Sequence, residues 1–195
     1  MLSPAEVRER FEAVQAEVGD TVTVVAATKY VALADMAVLA DAGIAIVGEN
    51  RVQDLEAKHA AYGDAFRWHF IGRLQSNKVK TVNRLCELVH SLDSRSAAER
   101  LQVPALLQVN LAGEGNKGGV SPAEVADYLG YRVRGLSTMP PPAADPEASR
   151  DWFRRLRELA DEHGLAELSM GTTQDYRVAA EEGATYVRVG SILFL

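Results

Sequence analysis

The stretch Val22-Thr-Val-Val-Ala-Ala-Thr-Lys29 decides the fold, because it shows one unit of a pattern that repeats along the chain. Its first six residues are apolar or β-branched, as is typical of a strand buried on both faces. Polar residues begin where this run ends, and residues 34–42 continue with helical spacing of apolar side chains. The stretch therefore predicts a strand followed by a helix.

Similar apolar runs recur along the rest of the chain. Seven further candidate strands occupy residues 44–47, 68–71, 88–90, 105–109, 133–136, 167–170 and 186–189, and helical spacing fills residues 52–62 and 151–163. Eight strand and helix units can close into a parallel barrel. We therefore predict an α/β protein with a single (β/α)8 TIM-type barrel domain over residues 1–195. An open doubly wound sheet is the alternative.

Several segments predict departures from a regular barrel. Ser3-Pro-Ala-Glu6 places a capping serine before a proline, which predicts an extra N-terminal helix that ends near Gly19. Residues 94–103 and 121–132 leave little room for crossover helices, which must be short or irregular. The proline-rich residues 139–146 predict a loop over the barrel mouth. Since such barrels usually need at least about 200 residues, this one is minimal in size.

Composition and charge exclude several classes of function. The formal net charge is −6, which repels nucleic acid and anionic membranes. The chain begins without the pattern of a signal peptide, and no apolar run approaches the roughly 20 residues that span a bilayer. Cys86 is the single cysteine, and no His/Cys group has metal-ligand spacing. We expect a cytoplasmic protein without a metal, a nucleic-acid partner or a membrane.

In a barrel of this kind the site forms at the carboxyl ends of the strands. The seventh end reads Leu168-Ser-Met-Gly-Thr-Thr-Gln-Asp175 and the eighth reads Val187-Arg-Val-Gly-Ser191. Glycine amides and hydroxyl groups can hold a phosphate at such ends. The same residues are also ordinary turn glycines and helix caps. Both interpretations stay open on this pattern.

Lys29 ends the first predicted strand and is the candidate nucleophile. A lysine at the end of a buried strand is partly desolvated, which favours the neutral amine that attacks aldehydes. Together with a phosphate cradle, such an amine suggests a phosphorylated carbonyl ligand. The alternative is a solvated lysine without a chemical role.

Several motifs occur in the same order as in a known family. They are Ala27-Thr-Lys-Tyr30, Gly48-Glu-Asn50, Trp68-His-Phe-Ile-Gly-Arg-Leu-Gln-Ser-Asn-Lys78, His90-Ser-Leu-Asp93, Leu107-Gln-Val-Asn110, Leu168-Ser-Met-Gly171 and Val187-Arg-Val-Gly190. On these motifs the chain resembles the pyridoxal phosphate homeostasis protein family, whose barrel is similar to the N-terminal domain of alanine racemase. The resemblance covers essentially the whole chain.

This resemblance implies pyridoxal 5'-phosphate (PLP) as the cofactor. It implies that Lys29 holds the PLP aldehyde as a Schiff base, that Arg188 faces the pyridine nitrogen, and that Asn50 lies along one side. His69 and Asn110 would line the mouth, although His69 is equally well a hydrogen-bonded histidine of the barrel interior. The phosphate would be held by Ser169, Gly171, Thr173, Gly190 and Ser191.

The resemblance also implies a role in intracellular PLP homeostasis. We expect a monomeric carrier that stores or hands over PLP, with apo PLP enzymes as candidate recipients. Alanine racemase needs a second base from a separate β domain, which does not follow here before Leu195. We therefore expect no enzyme activity. The alternatives are a weak racemase-like enzyme and a Schiff-base aldolase that uses no cofactor.

Two basic features are assigned less closely. Lys117 lies in the glycine-rich stretch Gly113-Glu-Gly-Asn-Lys-Gly-Gly119 and could contact an incoming phosphate. Residues 73–80 contain Arg73, Lys78 and Lys80, and we interpret them as a solvated basic face rather than a second phosphate site.

Overall fold

The computed structural model describes residues 2–115 and 118–194, and its eight strands close into one parallel barrel. Consecutive strands pair with each other, and the last strand pairs with the first. The (β/α)8 barrel is therefore confirmed, and the open doubly wound sheet is wrong. The strands are β1 Thr23–Ala27, β2 Ile46–Glu49, β3 Arg67–Phe70, β4 Leu88–Leu92, β5 Ala105–Gln108, β6 Val133–Ser137, β7 Glu167–Thr172 and β8 Tyr186–Val189.

Helices surround this barrel and follow the predicted order. They are α1 Pro4–Val18, α2 Met36–Asp41, α3 Val52–Tyr62, α4 Val79–Leu85, α5 Arg95–Ala98, α6 Arg150–Glu162, α7 Tyr176–Glu181 and α8 Ser191–Phe194. Helix α3 has the predicted bounds, and α6 begins one residue earlier than predicted. Helix α2 is shorter than predicted, because its first turn, Leu33–Asp35, is a 3₁₀ turn. The single-domain organisation over residues 1–195 stays a prediction.

The two short connections are confirmed as irregular. Helix α5 has only four residues, and the connection before β6 is a 3₁₀ run, Pro122–Tyr128. A 3₁₀ helix rises about 2.0 Å per residue, more than the α-helix, so fewer residues cross the length of the barrel. Ser121 begins this run with a capping box, in which its backbone N–H donates to Glu124 Oε2 at 2.8 Å.

The extra N-terminal helix α1 is also confirmed. The Ser3 backbone N–H donates to Glu6 Oε2 at 2.7 Å, Pro4 follows the cap, and Gly19 ends the helix with a φ of 82°. These features start and stop a helix, as the sequence predicts. Helix α1 is attached to α7, because Arg177 Nη2 donates to Glu17 Oε1 at 2.6 Å.

Strands β4 and β7 each run two residues beyond their predicted ends. The added residues include Ser91, Leu92 and Gly171, of which the serine and glycine read as loop residues in the sequence. Ser91 and its neighbour His90 are buried. Both have hydrogen-bond partners, so they remain within a strand without leaving a buried polar group unpaired.

The apolar core contains Cys86, as predicted from its sequence context. Burial raises the pKa of its thiol to about 12, so the thiolate is not available for chemistry near neutral pH. Among residues 2–115 and 118–194, no group of His, Cys, Asp and Glu could hold a metal ion. Within the same ranges, no helix combines the length and the apolar character needed to cross a bilayer.

Gly135 allows β6 and β7 to approach each other. It pairs with Glu167, and a Cβ added at Gly135 would lie 1.9 Å from the Glu167 carbonyl oxygen. We predict that Gly135→Ala lowers the free energy of unfolding by about 2 kcal/mol or more, because backbone must move to admit the methyl group. Urea unfolding measures this change. The control is Gly130→Ala, where a Cβ meets nothing within 4 Å; equal effects of the two substitutions would contradict the prediction.

Candidate functional site

A cavity of about 440 Å³ opens at the carboxyl ends of β1, β2 and β8 and the loop after β7. Its volume is within the range of small-molecule sites. Six of the eight residues predicted from the sequence line it: Lys29, Asn50, Thr173, Arg188, Gly190 and Ser191. The barrel thus brings together side chains that are up to 162 positions apart in the chain, counted from residue 29 to residue 191.

Lys29 lies on the rim of this cavity, two residues after β1 ends. Its side chain is exposed, and its Nζ lies 4.8 Å from the centre of the Tyr30 ring. The partial burial that we predicted for Lys29 is therefore wrong, because the chain has already left the barrel wall at this position. The amine is instead directly accessible to a ligand that enters the cavity.

The seventh and eighth strand ends are joined by a hydrogen bond at the cavity wall. The Gly190 backbone N–H donates to Thr173 Oγ1 at 3.1 Å. Since this hydroxyl accepts from Gly190, its own proton is available to a ligand. Ser191 follows directly and adds a second, exposed hydroxyl. The hydroxyls of Thr173 and Ser191 are therefore the donors here that can bind an anion, while the Gly190 N–H holds Thr173 in place.

Asp175 forms hydrogen bonds through both carboxylate oxygens in the loop after β7. Its Oδ1 accepts from the Thr172 backbone N–H at 2.7 Å, and its Oδ2 accepts from Ser149 Oγ at 2.8 Å. Both carboxylate oxygens are therefore occupied by neighbouring donors. This arrangement attaches the loop after β7 to Ser149.

The structure places Ser169 and Gly171 outside this cavity. Ser169 is buried inside the barrel, where its Oγ lies 2.7 Å from His90 Nδ1. Gly171 has a φ of 88°, and a Cβ there would lie 2.5 Å from Ala179 Cβ, so glycine is needed for the turn and for the packing of α7. Of the predicted phosphate residues, Thr173, Gly190 and Ser191 line the cavity, and phosphate binding by all five stays a prediction.

Arg188 is a buried cation in the cavity wall. Its Nη2 donates to the Thr138 carbonyl oxygen at 2.9 Å and lies 3.1 Å from Met139 Sδ. Its Nε has no hydrogen-bond partner within the part of the chain that the structure describes. Burial lowers the pKa of Arg188 to about 10, partly offset by Asp175, so the side chain is still cationic at neutral pH.

A chain of polar side chains crosses the barrel interior. His69 Nδ1 lies 2.9 Å from His90 Nε2, and His90 in turn contacts Ser169. The Tyr186 ring packs edge-on against both histidines. Of the two alternatives for His69, lining the mouth or lying in the barrel interior, the structure shows the second. Asn110 does not line the cavity either, because its side-chain amide donates to the Glu114 carbonyl oxygen at 2.8 Å.

Sequence reasoning missed several features of the site. Tyr30, Met139 and Gln174 line the cavity but were not predicted as site residues. For Met139, the sequence predicted only that the proline-rich loop beginning there covers the mouth. A buried ion pair between Glu49 and Lys58 was also missed. Its signal is present in the sequence, since Val52 and Leu55 mark the buried face of α3 and Lys58 continues that face three residues later.

The basic segment of residues 73–80 does not contribute to the cavity lining. Arg73 and Lys80 are exposed and do not line the cavity, as expected of a solvated face. Arg73 Nε lies 3.7 Å from Asp93 Oδ2. Lys117 lies outside the described residues.

Comparison with known proteins first defines the class. The fold matches the alanine racemase of Corynebacterium glutamicum with a TM-score of 0.75 at 13% identity, covering 99% of this chain and 61% of that chain. It also matches PipY of Synechococcus elongatus, solved with PLP bound, with a TM-score of 0.86 at 32% identity over 97% of this chain and 100% of that chain. The protein is thus a barrel of the alanine racemase type with a small-molecule cavity at its mouth.

Curated relatives then identify the family. The pyridoxal phosphate homeostasis protein of Aquifex aeolicus is 43% identical over 78% of this chain and 77% of its own length. That of Deinococcus radiodurans is 40% identical over 97% of this chain and 96% of its own length. No family model matches the chain. The chain belongs to the pyridoxal phosphate homeostasis protein family.

The interior histidines make folding sensitive to acid. Burial lowers the pKa of His69 to about 4, and burial also lowers the pKa of His90. Below about pH 6.5 the unfolded chain binds protons that the folded chain does not, so stability falls as the pH drops from there. We expect His69 alone to lower the free energy of unfolding by on the order of 2 kcal/mol between about pH 7.5 and about pH 4.5, and His90 to lower it further in the same direction.

Urea unfolding at the two pH values measures this loss. His69→Gln keeps a polar group next to His90 and removes one titrating ring, so its loss should be smaller than that of the unsubstituted protein. Equal losses would show that His69 is not responsible.

Proposed function

We propose that this chain binds PLP in the cavity at the barrel mouth and acts in PLP homeostasis, with the cofactor held reversibly on Lys29. The observation that carries the proposal is the exposed amine of Lys29 on the rim of the same cavity as the hydroxyl groups of Thr173 and Ser191. Membership of the family and the PLP-bound structure of PipY support it.

The residues present fit the phosphate, the aldehyde and the pyridine nitrogen of PLP. Its phosphate suits the hydroxyls of Thr173 and Ser191 with the backbone at Gly190. Its aldehyde suits the amine of Lys29. Its pyridine nitrogen suits Arg188, whose buried Nε lacks a partner within the described ranges. Asn50, also in the lining, would lie along one side of the ring.

Lys29 is suited to capture that can be reversed. Bound PLP supplies an aldehyde, to which a primary amine bonds with release of water, and water or a second amine reverses the reaction. Because Lys29 is exposed, water and amines reach it without a conformational change. This access favours a protein that stores PLP and hands it over. Apo PLP enzymes are the proposed recipients, and we propose a monomer.

Arg188 favours a carrier over an enzyme. A cation next to a pyridine nitrogen disfavours protonation of that nitrogen, and an unprotonated ring withdraws electrons weakly from a bound substrate. The pKa of about 10 keeps Arg188 charged at neutral pH. The relatives are named as homeostasis proteins, which also agrees with a carrier.

Replacing Lys29 tests the proposed covalent attachment. After incubation with PLP and reduction with borohydride, peptide mapping should place the label on Lys29 in the unsubstituted protein. Lys29→Ala should lose the label and the yellow absorption, and its affinity for PLP should fall about tenfold or more, because the amine is the nucleophile. Lys80→Ala, at an exposed lysine outside the cavity, is the matched control and should keep both. A label that persists in Lys29→Ala would place the attachment on another residue.

The choice between carrier and enzyme is tested by exchange of the α-proton of amino acids in deuterated water. We expect no catalytic exchange by the PLP-loaded protein, because Arg188 weakens the ring as an acceptor of electrons. Mass spectrometry of the amino acids measures the exchange. Multiple turnovers that disappear in Lys29→Ala would establish an enzyme instead.

A further inference from the structure

A buried polar cluster lies directly behind Lys29 and has no role in the site described so far. It consists of Thr28, Glu49 and Lys58, which we call the rim clamp. The exposed fractions of these residues are 0%, 0% and 5%. Lys58 Nζ donates to Glu49 Oε1 at 2.6 Å and to the Thr28 carbonyl oxygen at 2.8 Å, and Thr28 Oγ1 donates to Glu49 Oε1. The rim clamp thus joins the end of β1, the end of β2 and the middle of α3.

All polar groups of Thr28 have hydrogen-bond partners, within the rim clamp or next to it. The Thr28 backbone N–H donates to the Gly48 carbonyl oxygen at 3.0 Å. Its carbonyl oxygen accepts from Lys58 and also from the Val31 backbone N–H at 2.9 Å. The peptide plane that leads into Lys29 is therefore held from two sides, whereas the Lys29 side chain itself is exposed.

Two residues of the rim clamp each directly precede a residue that lines the cavity. Thr28 precedes Lys29, and Glu49 precedes Asn50. At both strand ends, a buried residue of the rim clamp is therefore followed by a residue of the barrel mouth.

Stability alone does not account for this cluster. A buried ion pair is often no more stabilising than apolar residues of the same volume. Glu49 Oε2 also has no hydrogen-bond partner among the described residues, which adds a cost of burial. Because the cluster gives little stability and holds the peptide plane before Lys29, it is suited to positioning Lys29.

We infer that Lys58 and Glu49 are positioning residues that hold the backbone of Lys29 where its amine meets the PLP aldehyde. This inference rests on the proposed function. The amine has a high effective concentration next to the aldehyde only if the backbone of Lys29 stays in place. Loss of the rim clamp should therefore slow capture of the aldehyde and leave binding at the phosphate end intact, because Thr173, Gly190 and Ser191 belong to other strand ends.

The test uses the double variant Glu49→Gln/Lys58→Met. It removes both charges together, since removal of one alone would leave the other buried without a partner. Methionine retains much of the lysine volume. The matched control is Glu167→Gln/Arg134→Met, which makes the corresponding changes in an ion pair at the start of β7 and β6, away from the cavity.

Two ligands separate positioning from a general loss of structure. With PLP, we expect the rate constant of capture, followed by absorbance, to fall about tenfold or more in the clamp variant, because the amine is misplaced. Pyridoxine 5'-phosphate carries an alcohol instead of the aldehyde and cannot bond to Lys29. Its Kd should change less than about threefold, because the phosphate contacts remain. The control variant should match the unsubstituted protein with both ligands.

The outcomes distinguish the two proposals. An unchanged capture rate in the clamp variant would overturn the positioning inference, as would equal weakening of both ligands. If borohydride mapping of the unsubstituted protein finds no PLP on Lys29, the proposed function fails first. Slow PLP capture with retained binding of pyridoxine 5'-phosphate would support the inference.

Discussion

The pairing of β1 with β8 is the contact on which the candidate site depends. It places Val25 beside Arg188 and Ala26 beside Val189, although the two strands lie at opposite ends of the chain. Gly190 then follows so close to β1 that a Cβ there would lie 3.0 Å from the Ala27 carbonyl oxygen. Without this closure, the amine of Lys29 and the donors that follow β8 would not share a cavity.

Closure also creates an interior and a wall in which each polar side chain needs a partner. His69, His90 and Ser169 meet this need through contacts with one another. Glu49 and Lys58 meet it between the sheet and α3. These two clusters have different consequences, since the first makes stability depend on pH and the second holds the strand end that carries Lys29.

The location of Lys29 at a strand end followed from the sequence, but its exposure did not. A buried strand can end at its last apolar residue or continue through the polar residues that follow. The sequence near residue 28 does not distinguish these two cases. The same ambiguity affected Gly171, which was predicted just beyond the seventh strand and lies within β7. A shift of one residue moves a strand side chain to the opposite face, so small errors in strand ends become large errors in the site.

The sequence by itself determined the number and order of the strands and the N-terminal helix with its capping box, and its resemblance to the family implied the six residues that meet in the cavity. The strands and the helix depend on local periodicity and capping chemistry, and the position of the site follows the rule that barrel sites form at carboxyl strand ends. Only the tertiary structure decided that Lys29 is exposed, that Ser169 belongs to an interior histidine chain, and that Lys58 reaches the Thr28 carbonyl. The physical reason is that burial and hydrogen-bond partners depend on contacts between distant segments, which local sequence patterns do not specify.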